Sequence, residues 1–234
     1  MKNGQLSDRL EAVASMVTPG ARLCDVGCDH AYLPIRLCQR KVISNAIGMD
    51  IRSGPLSAAR EHVRDAGLTD HIELRLSDGL QSLQKEEADT VVITGMGGRL
   101  IVRIMDEAPF SPGDIPNWIL GPQSDVDIVR GFLETHALHI IDERMVKEDG
   151  HRYPIILATP GCGKPLTESE IVFGPCLLAS KDPVLREHLL EQKQVLESIL
   201  AELETASGTR AKARSVEIQS ELAIIAEAMQ RYEM

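Results

Sequence analysis

Residues 22–32, Arg22-Leu23-Cys24-Asp25-Val26-Gly27-Cys28-Asp29-His30-Ala31-Tyr32, decide the fold. A short apolar run ends at Val26 and meets a glycine turn, and a helical pattern then runs from Tyr32 to Arg40. A buried strand that stops at a glycine and restarts as a helix is the opening unit of a β-α-β architecture. The turn is neither a G-x-G-x-x-G fingerprint nor a phosphate-binding loop with Gly-Lys-Ser/Thr. Gly27 allows a ligand to approach the backbone, while Asp25 and Asp29 surround it with negative charge. A pyrophosphate would be repelled there and a cationic ligand favoured.

The same alternation extends in both directions. Upstream, Ser7 caps a helix carrying Leu10, Val13, Ala14 and Val17, which ends at Thr18-Pro19-Gly20. Downstream, strands are predicted at 46–50, 71–76, 88–94 and 118–120. One intervening helix opens at Ser53-Gly54-Pro55 and closes at Gly67; another carries Leu100, Ile101 and Ile104. Ser124 is expected to cap a third, with Val126, Val129, Phe132 and Leu133. The β-branched run Ala88–Thr94 suits the buried middle of a parallel sheet. Two last strands, 139–146 and 153–158, have only the turn Glu148-Asp149-Gly150 between them, which predicts an antiparallel hairpin at the sheet edge. The fold class is therefore α/β, an open doubly wound sheet.

Turn formers cluster at Thr159-Pro160-Gly161-Cys162-Gly163-Lys164-Pro165, where a domain boundary is expected. Beyond it, Leu185, Leu189, Leu196, Ile199 and Leu203 predict one amphipathic helix. Ala206-Ser207-Gly208-Thr209 breaks the pattern, and Ile218, Leu222, Ile225, Met229 and Tyr232 predict a second, giving a coiled-coil-like helical hairpin.

Composition narrows the function. The 234 residues, 43% hydrophobic and 26% charged, suit a globular domain with an appendage. Aromatics at 3% argue against a base-stacking platform, and a net charge of -10 argues against indiscriminate nucleic-acid coating. Local basic clusters remain at Arg36-Arg40-Lys41, Arg99-Arg103 and Arg210-Lys212-Arg214. No apolar run is long enough for a membrane span and Met1–Leu6 has no signal-peptide core, so a cytoplasmic location is expected. Five scattered cysteines do not suggest disulfides. Cys24, Cys28 and His30 lack a fourth ligand partner, so no metal is expected.

In doubly wound sheets ligands bind at the carboxyl ends of the strands. Four ends here carry acids or glycines. Asp50 is placed to accept the two hydroxyls of a ribose, and Asp78-Gly79 to accept from an adenine amino group. Gly95-Met96-Gly97-Gly98 leaves room for a substrate. With Asp25 and Gly27, these suit S-adenosylmethionine: ribose, adenine and a sulfonium cation without phosphate.

The string DVGCDHAYLP at 25–34, GMD at 48–50, SDG at 77–79 and VVITGMGG at 91–98 resembles the bacterial TrmK family. The likeness extends to LSDRLEAVASMV, EDGHRYPII and LTESEIVFGPCLL, and departs from the family's Gln-Pro-Asn-like string at Gly121-Pro122-Gln123. It implies a Rossmann-like methyltransferase domain over 1–162 and a helical coiled-coil tail over 163–234. The activity implied is S-adenosylmethionine-dependent methylation of N1 of adenine 22 in the D arm of tRNA, with tRNA the partner. Asp25, Gly27, Asp29, His30, Asp50, Asp78, Gly79 and Met96 would hold the cofactor. Asp29 would also act in catalysis, with Tyr32, Gly95, Gly97 and Gly98 meeting the substrate. Two other readings stay open: the same cofactor with a small-molecule or protein substrate, and a non-catalytic adaptor using the helical hairpin.

Overall fold

The computed structural model describes residues 5–205 and 209–233. The chain forms two compact units, Met1–Lys164 and Pro165–Met234.

The first unit is built on a seven-stranded sheet ordered β3-β2-β1-β4-β5-β7-β6. Its strands are β1 (Leu23–Val26), β2 (Ala46–Asp50), β3 (Ile72–Leu76), β4 (Thr90–Met96), β5 (Asn117–Pro122), β6 (Leu138–Glu148) and β7 (His151–Pro160). The first five run parallel, and β7 lies antiparallel between β5 and β6. Central strands buried on both faces need apolar side chains throughout, and Val91, Val92 and Ile93 of β4 are wholly buried. Chain order reverses between β1 and β4, creating a crevice at their carboxyl ends.

Helices fill the connections: α1 (Asp8–Met16), α2 (Tyr32–Gln39), α3 (Ser53–Asp65), α4 (Gly98–Asp106) and α5 (Val126–Thr135). Val13 and Val17 beside α1's end, Leu33 and Leu37 of α2, and Ala59 and Val63 of α3 share one core with the sheet. Ser7 caps α1 as expected, its hydroxyl accepting from the Leu10 amide. Ser124 does not cap α5. Asp125 holds the cap position with φ 50°, and the Ser124 hydroxyl instead donates to Asp125 Oδ2 at 2.9 Å. The reason is tertiary: the Ser124 carbonyl accepts from the Gly98 amide at 2.8 Å, tying this loop to the start of α4. Between α5 and β6, Arg130 Nε and Glu143 Oε1 meet at 2.9 Å with both side chains essentially inaccessible.

In the second unit α6 (Glu168–Phe173) and α7 (Pro175–Ala179) precede two long helices, α8 (Pro183–Thr205) and α9 (Thr209–Glu233). The short pair has local signals: a reciprocal Thr167/Glu170 capping box for α6 and Pro175 at the start of α7. Tyr232 near the end of α9 donates to the Asp182 carbonyl just before α8, so the long helices run antiparallel. Leu185, Leu189, Ile218, Ile225 and Ala228 are buried, whereas Leu196, Ile199 and Leu203 are only half-buried. Of the expected break at 206–209, residues 206–208 lie outside the described residues.

Candidate active site

The carboxyl ends of β1, β2, β3 and β4 surround a cavity of about 730 Å³, within the usual range for small-molecule sites. Its floor is the turn after β1. The Gly27 and Cys28 amides both donate to the Met49 carbonyl, at 2.8 and 2.9 Å, clamping the turn to β2. Gly27 has φ 73°, a conformation in which any larger residue is strained, and a Cβ there would stand 2.9 Å from the terminal methyl of Met96. Asp29 and Ala31 also take left-handed conformations, at φ 48° and 57°. Non-glycine residues held there cluster at functional sites.

Asp25 is 5% exposed and Asp50 4%. Burial, with the Asp50 charge adding to it, raises the Asp25 carboxyl to about 7. Asp50 is held by the Arg52 amide, which donates to its Oδ1 at 2.8 Å. Because the folded value exceeds the ordinary 3.8, Asp25 adds stability fully below pH 4 and that contribution is lost as pH rises through about 7. A cation bound beside it reverses the preference and drives the proton off. Cofactor binding at pH 6 is therefore expected to release a proton, and affinity to rise with pH up to about 7. Calorimetry in buffers of different ionisation enthalpy measures this, and Asp25→Asn should abolish it; proton-neutral binding by the parent chain would reject the role.

Asp78 and Gly79 follow β3 at the cavity wall. Asp78 is exposed and pairs with Arg103 at 3.4 Å. Gly79 has φ 56° and lies against Ile104, which a Cβ would approach to 2.9 Å. The Ser77 hydroxyl donates to the Gly79 carbonyl and accepts from the Ser82 amide, fixing this corner. Asp29 and His30 stand together at the cavity, with Oδ2 and Nε2 3.5 Å apart. Tyr32 opens α2 and also lines the cavity. Its ring stacks on His62 of α3 at 5.2 Å, and His30 sits 5.3 Å from each ring.

Gly95 and Met96 line the cavity, and Gly97 and Gly98 follow them at the start of α4. Gly97 is the cap position of α4 and faces the Ser124 hydroxyl. Gly98 is buried against the Ser124 and Asp125 carbonyls, which a Cβ would approach to 2.7 and 2.3 Å. Their small size serves the packing of α4 against the loop before α5.

Several further residues line the cavity that were not among the expected site residues. Arg9 and Leu10 arrive from α1, Ser77 from the end of β3 and Gln123 from beyond β5. Gln123 is positioned by its amide, which donates to the Met96 carbonyl at 3.0 Å. Cys24 and Cys28 are buried free thiols, pushed up by desolvation. No group of three or more His, Cys, Asp or Glu placed to hold a metal occurs among the described residues, and no described helix is long and apolar enough to cross a membrane.

The cavity fits S-adenosylmethionine in size and donor chemistry. It has a glycine floor, buried acids for a ribose and cations, and two buried nitrogens on its wall, Arg9 Nε and His30 Nδ1, without a hydrogen-bond partner. Residues 23–227 match the TrmK family model, described as tRNA (adenine(22)-N(1))-methyltransferase. A Bacillus subtilis tRNA (adenine(22)-N(1))-methyltransferase is 34% identical over 89% of this chain and 90% of its own length. A Streptococcus pneumoniae protein solved in complex with S-adenosyl-L-methionine superposes with TM-score 0.85, at 34% identity, over 96% of this chain and 99% of that one. Mycoplasma TrmK, from M. capricolum and solved with S-adenosyl-homocysteine, gives TM-score 0.85 at 30% identity over 97% and 98% of the two chains.

Proposed function

The chain belongs to the TrmK family of tRNA (adenine(22)-N(1))-methyltransferases, and on that premise we propose how its cavity serves the reaction. It uses S-adenosylmethionine to methylate N1 of adenine 22 in tRNA. The adaptor reading and that of a different methyl acceptor fall with the family assignment. One observation carries the residue assignments: the acids at the ends of β1, β2 and β3 line a single cavity with the turn that holds Asp29.

The cofactor supplies an electrophilic methyl group on a sulfonium. Asp50 accepts from the ribose hydroxyls, Asp78 accepts from the adenine amino group, and Asp25 balances positive charge. Gly27, Gly79 and Met96 shape the walls, and His30 braces Asp29. Adenine N1 already has a lone pair, so no base is needed before transfer. The chain's tasks are to align N1 with the methyl carbon and to offset the positive charge that appears on the base. Asp29, half-exposed at the cavity, is placed for the second task. Tyr32, fixed by His62, offers a ring against which the extruded adenine packs. Gly95 leaves it room.

The helical tail provides a further surface for folded RNA, read by shape. Its basic residues are partly offset: Arg214 pairs with Glu217 at 2.8 Å and Glu221 at 3.1 Å, and on the catalytic unit Arg40 pairs with Glu11. Binding is thus modest and salt-sensitive. A cytoplasmic location follows from the tRNA substrate.

Methyl transfer to tRNA transcripts tests the reading. Changing adenine 22 to guanine should abolish incorporation; unchanged incorporation would overturn the target assignment. A chain ending near Lys164 should bind cofactor normally but tRNA poorly, and equal tRNA affinity would remove the tail from RNA binding.

A further inference from the structure

The sheet order divides the cavity between two ligands. Asp78, Asp50 and Asp25 stand at the ends of β3, β2 and β1, the side that the cofactor fills in the reading above. The methyl acceptor is left the side at the ends of β4 and β5, lined by Thr94, Gly95, Met96 and Gln123. β4 is irregular there. Thr94 pairs with Gly121 and Met96 with Pro122, so Gly95 is an extra residue without a partner on β5. Bulges of this kind occur beside active sites, where they re-aim a side chain. Gly95 has φ 79°, and open space stands over it, since a Cβ would meet nothing within 4 Å. Gln123 follows this bulged pairing, and its backbone amide donates to the Met96 carbonyl at 3.0 Å. Its backbone is thus fixed while its side chain is exposed, with no hydrogen-bond partner among the described residues. Thr94, the other polar residue on this side, has its Cγ2 packed over Gly121.

A glutamine amide presents a donor and an acceptor side by side. Adenine carries the matching pair, an amino group at N6 that donates and an N7 that accepts. Contact on that edge leaves the N1 lone pair free to meet the methyl carbon. We propose that Gln123 selects the target base, its Oε1 accepting from adenine N6 and its Nε2 donating to N7. The assignment rests on the tRNA reading above and adds the residue that reads the base. During transfer the N1 lone pair forms the new bond to the methyl carbon, and the sulfur–carbon bond pair returns to sulfur. Positive charge passes from sulfonium to purine and spreads over N1 and N6, so the Oε1 contact strengthens as the reaction proceeds. A base with a carbonyl in place of the amino group would set two acceptor oxygens against each other.

Single-turnover methylation of two tRNAs tests it, one carrying adenosine and the other 7-deazaadenosine at position 22. The second base keeps N1 and the N6 amino group but has C–H in place of N7. Its N1 differs in intrinsic reactivity, so the readout is the ratio of rates on the two tRNAs, compared between chains. Gln123→Ala should slow methylation of adenosine and shift that ratio toward the 7-deaza base, each by about tenfold or more. Gln123→Glu keeps an acceptor for N6 but sets a carboxylate against N7, and should shift the ratio at least as far. Being nearly isosteric, it supplies the comparison if Gln123→Ala does not fold. Calorimetric affinity for S-adenosylmethionine should stay near that of the parent chain. An unchanged ratio in both variants would overturn the proposal. So would equal losses on both tRNAs with weakened cofactor binding, which would make Gln123 part of the cofactor's wall. A parent chain that methylates neither tRNA would instead overturn the target assignment on which the proposal stands.

Discussion

Asp29→Asn is expected to lower the rate of methyl transfer about 10²- to 10³-fold while changing cofactor affinity little, the size of effect seen when one preorganised charge-stabilising group is removed. Asn is the informative replacement because residue 29 sits at φ 48°, a region that Asn tolerates and Ala resists. Shape and backbone are then preserved and only the charge is lost. The effect belongs in the transition state, because adenine is neutral before transfer and cationic after it. Single-turnover rates at saturating cofactor, set beside calorimetric affinity, separate the possibilities. Unchanged rates with weaker cofactor binding would make Asp29 a cofactor ligand alone. Asp29→Ala should lose at least as much, with an added structural cost from a left-handed Ala.

Arg130→Met should destabilise the catalytic unit by about 3–5 kcal/mol, because it removes the guanidinium that faces the buried Glu143 carboxylate at 2.9 Å. For a unit of this size that is a fall in Tm of roughly 10 °C. Neither residue lines the cavity, so cofactor affinity measured well below the transition should stay near that of the parent. Adding Glu143→Leu should recover most of the loss, since the pair's desolvation cost disappears with the pair. A single variant melting with the parent chain would show that water or neighbouring groups satisfy Glu143 unaided. The pair ties α5 to β6, the edge that the antiparallel hairpin adds to the parallel sheet.

The elements readable in the sequence are those fixed by local pattern. β4 shows as an unbroken β-branched run and the hairpin as two alternating stretches around a short turn. Asp25, Asp50 and Asp78 line one cavity because strand ends in this architecture converge, so position along the chain is already position in space. What stayed hidden depends on contacts between distant segments. Arg9 looks like any exposed helix residue until β7 brings Tyr153 beneath it, and His62 like a solvated helix position until Tyr32 and His30 close on it. The packing of Gly97 and Gly98 depends on a distant segment in the same way. A glycine needed for close packing against Ser124 and Asp125 is indistinguishable, in sequence, from one that leaves space for a ligand.

The position of α1 bears on how the chain acquires its shape during synthesis. Arg9 meets Tyr153 and Glu148, and the Arg144 side chain donates to the Ser15 hydroxyl, so the first helix finds its partners some 130 residues later. At translation rates of about 5–20 residues per second, Val13, Ala14 and Val17 wait roughly 10–30 s for β6 and β7 to leave the ribosome. Until then the helix has only its earlier partners in the shared core, among them Leu33 and Leu37 of α2. The contacts of α1 with β6 and β7 are therefore among the last tertiary contacts of the catalytic unit to become available.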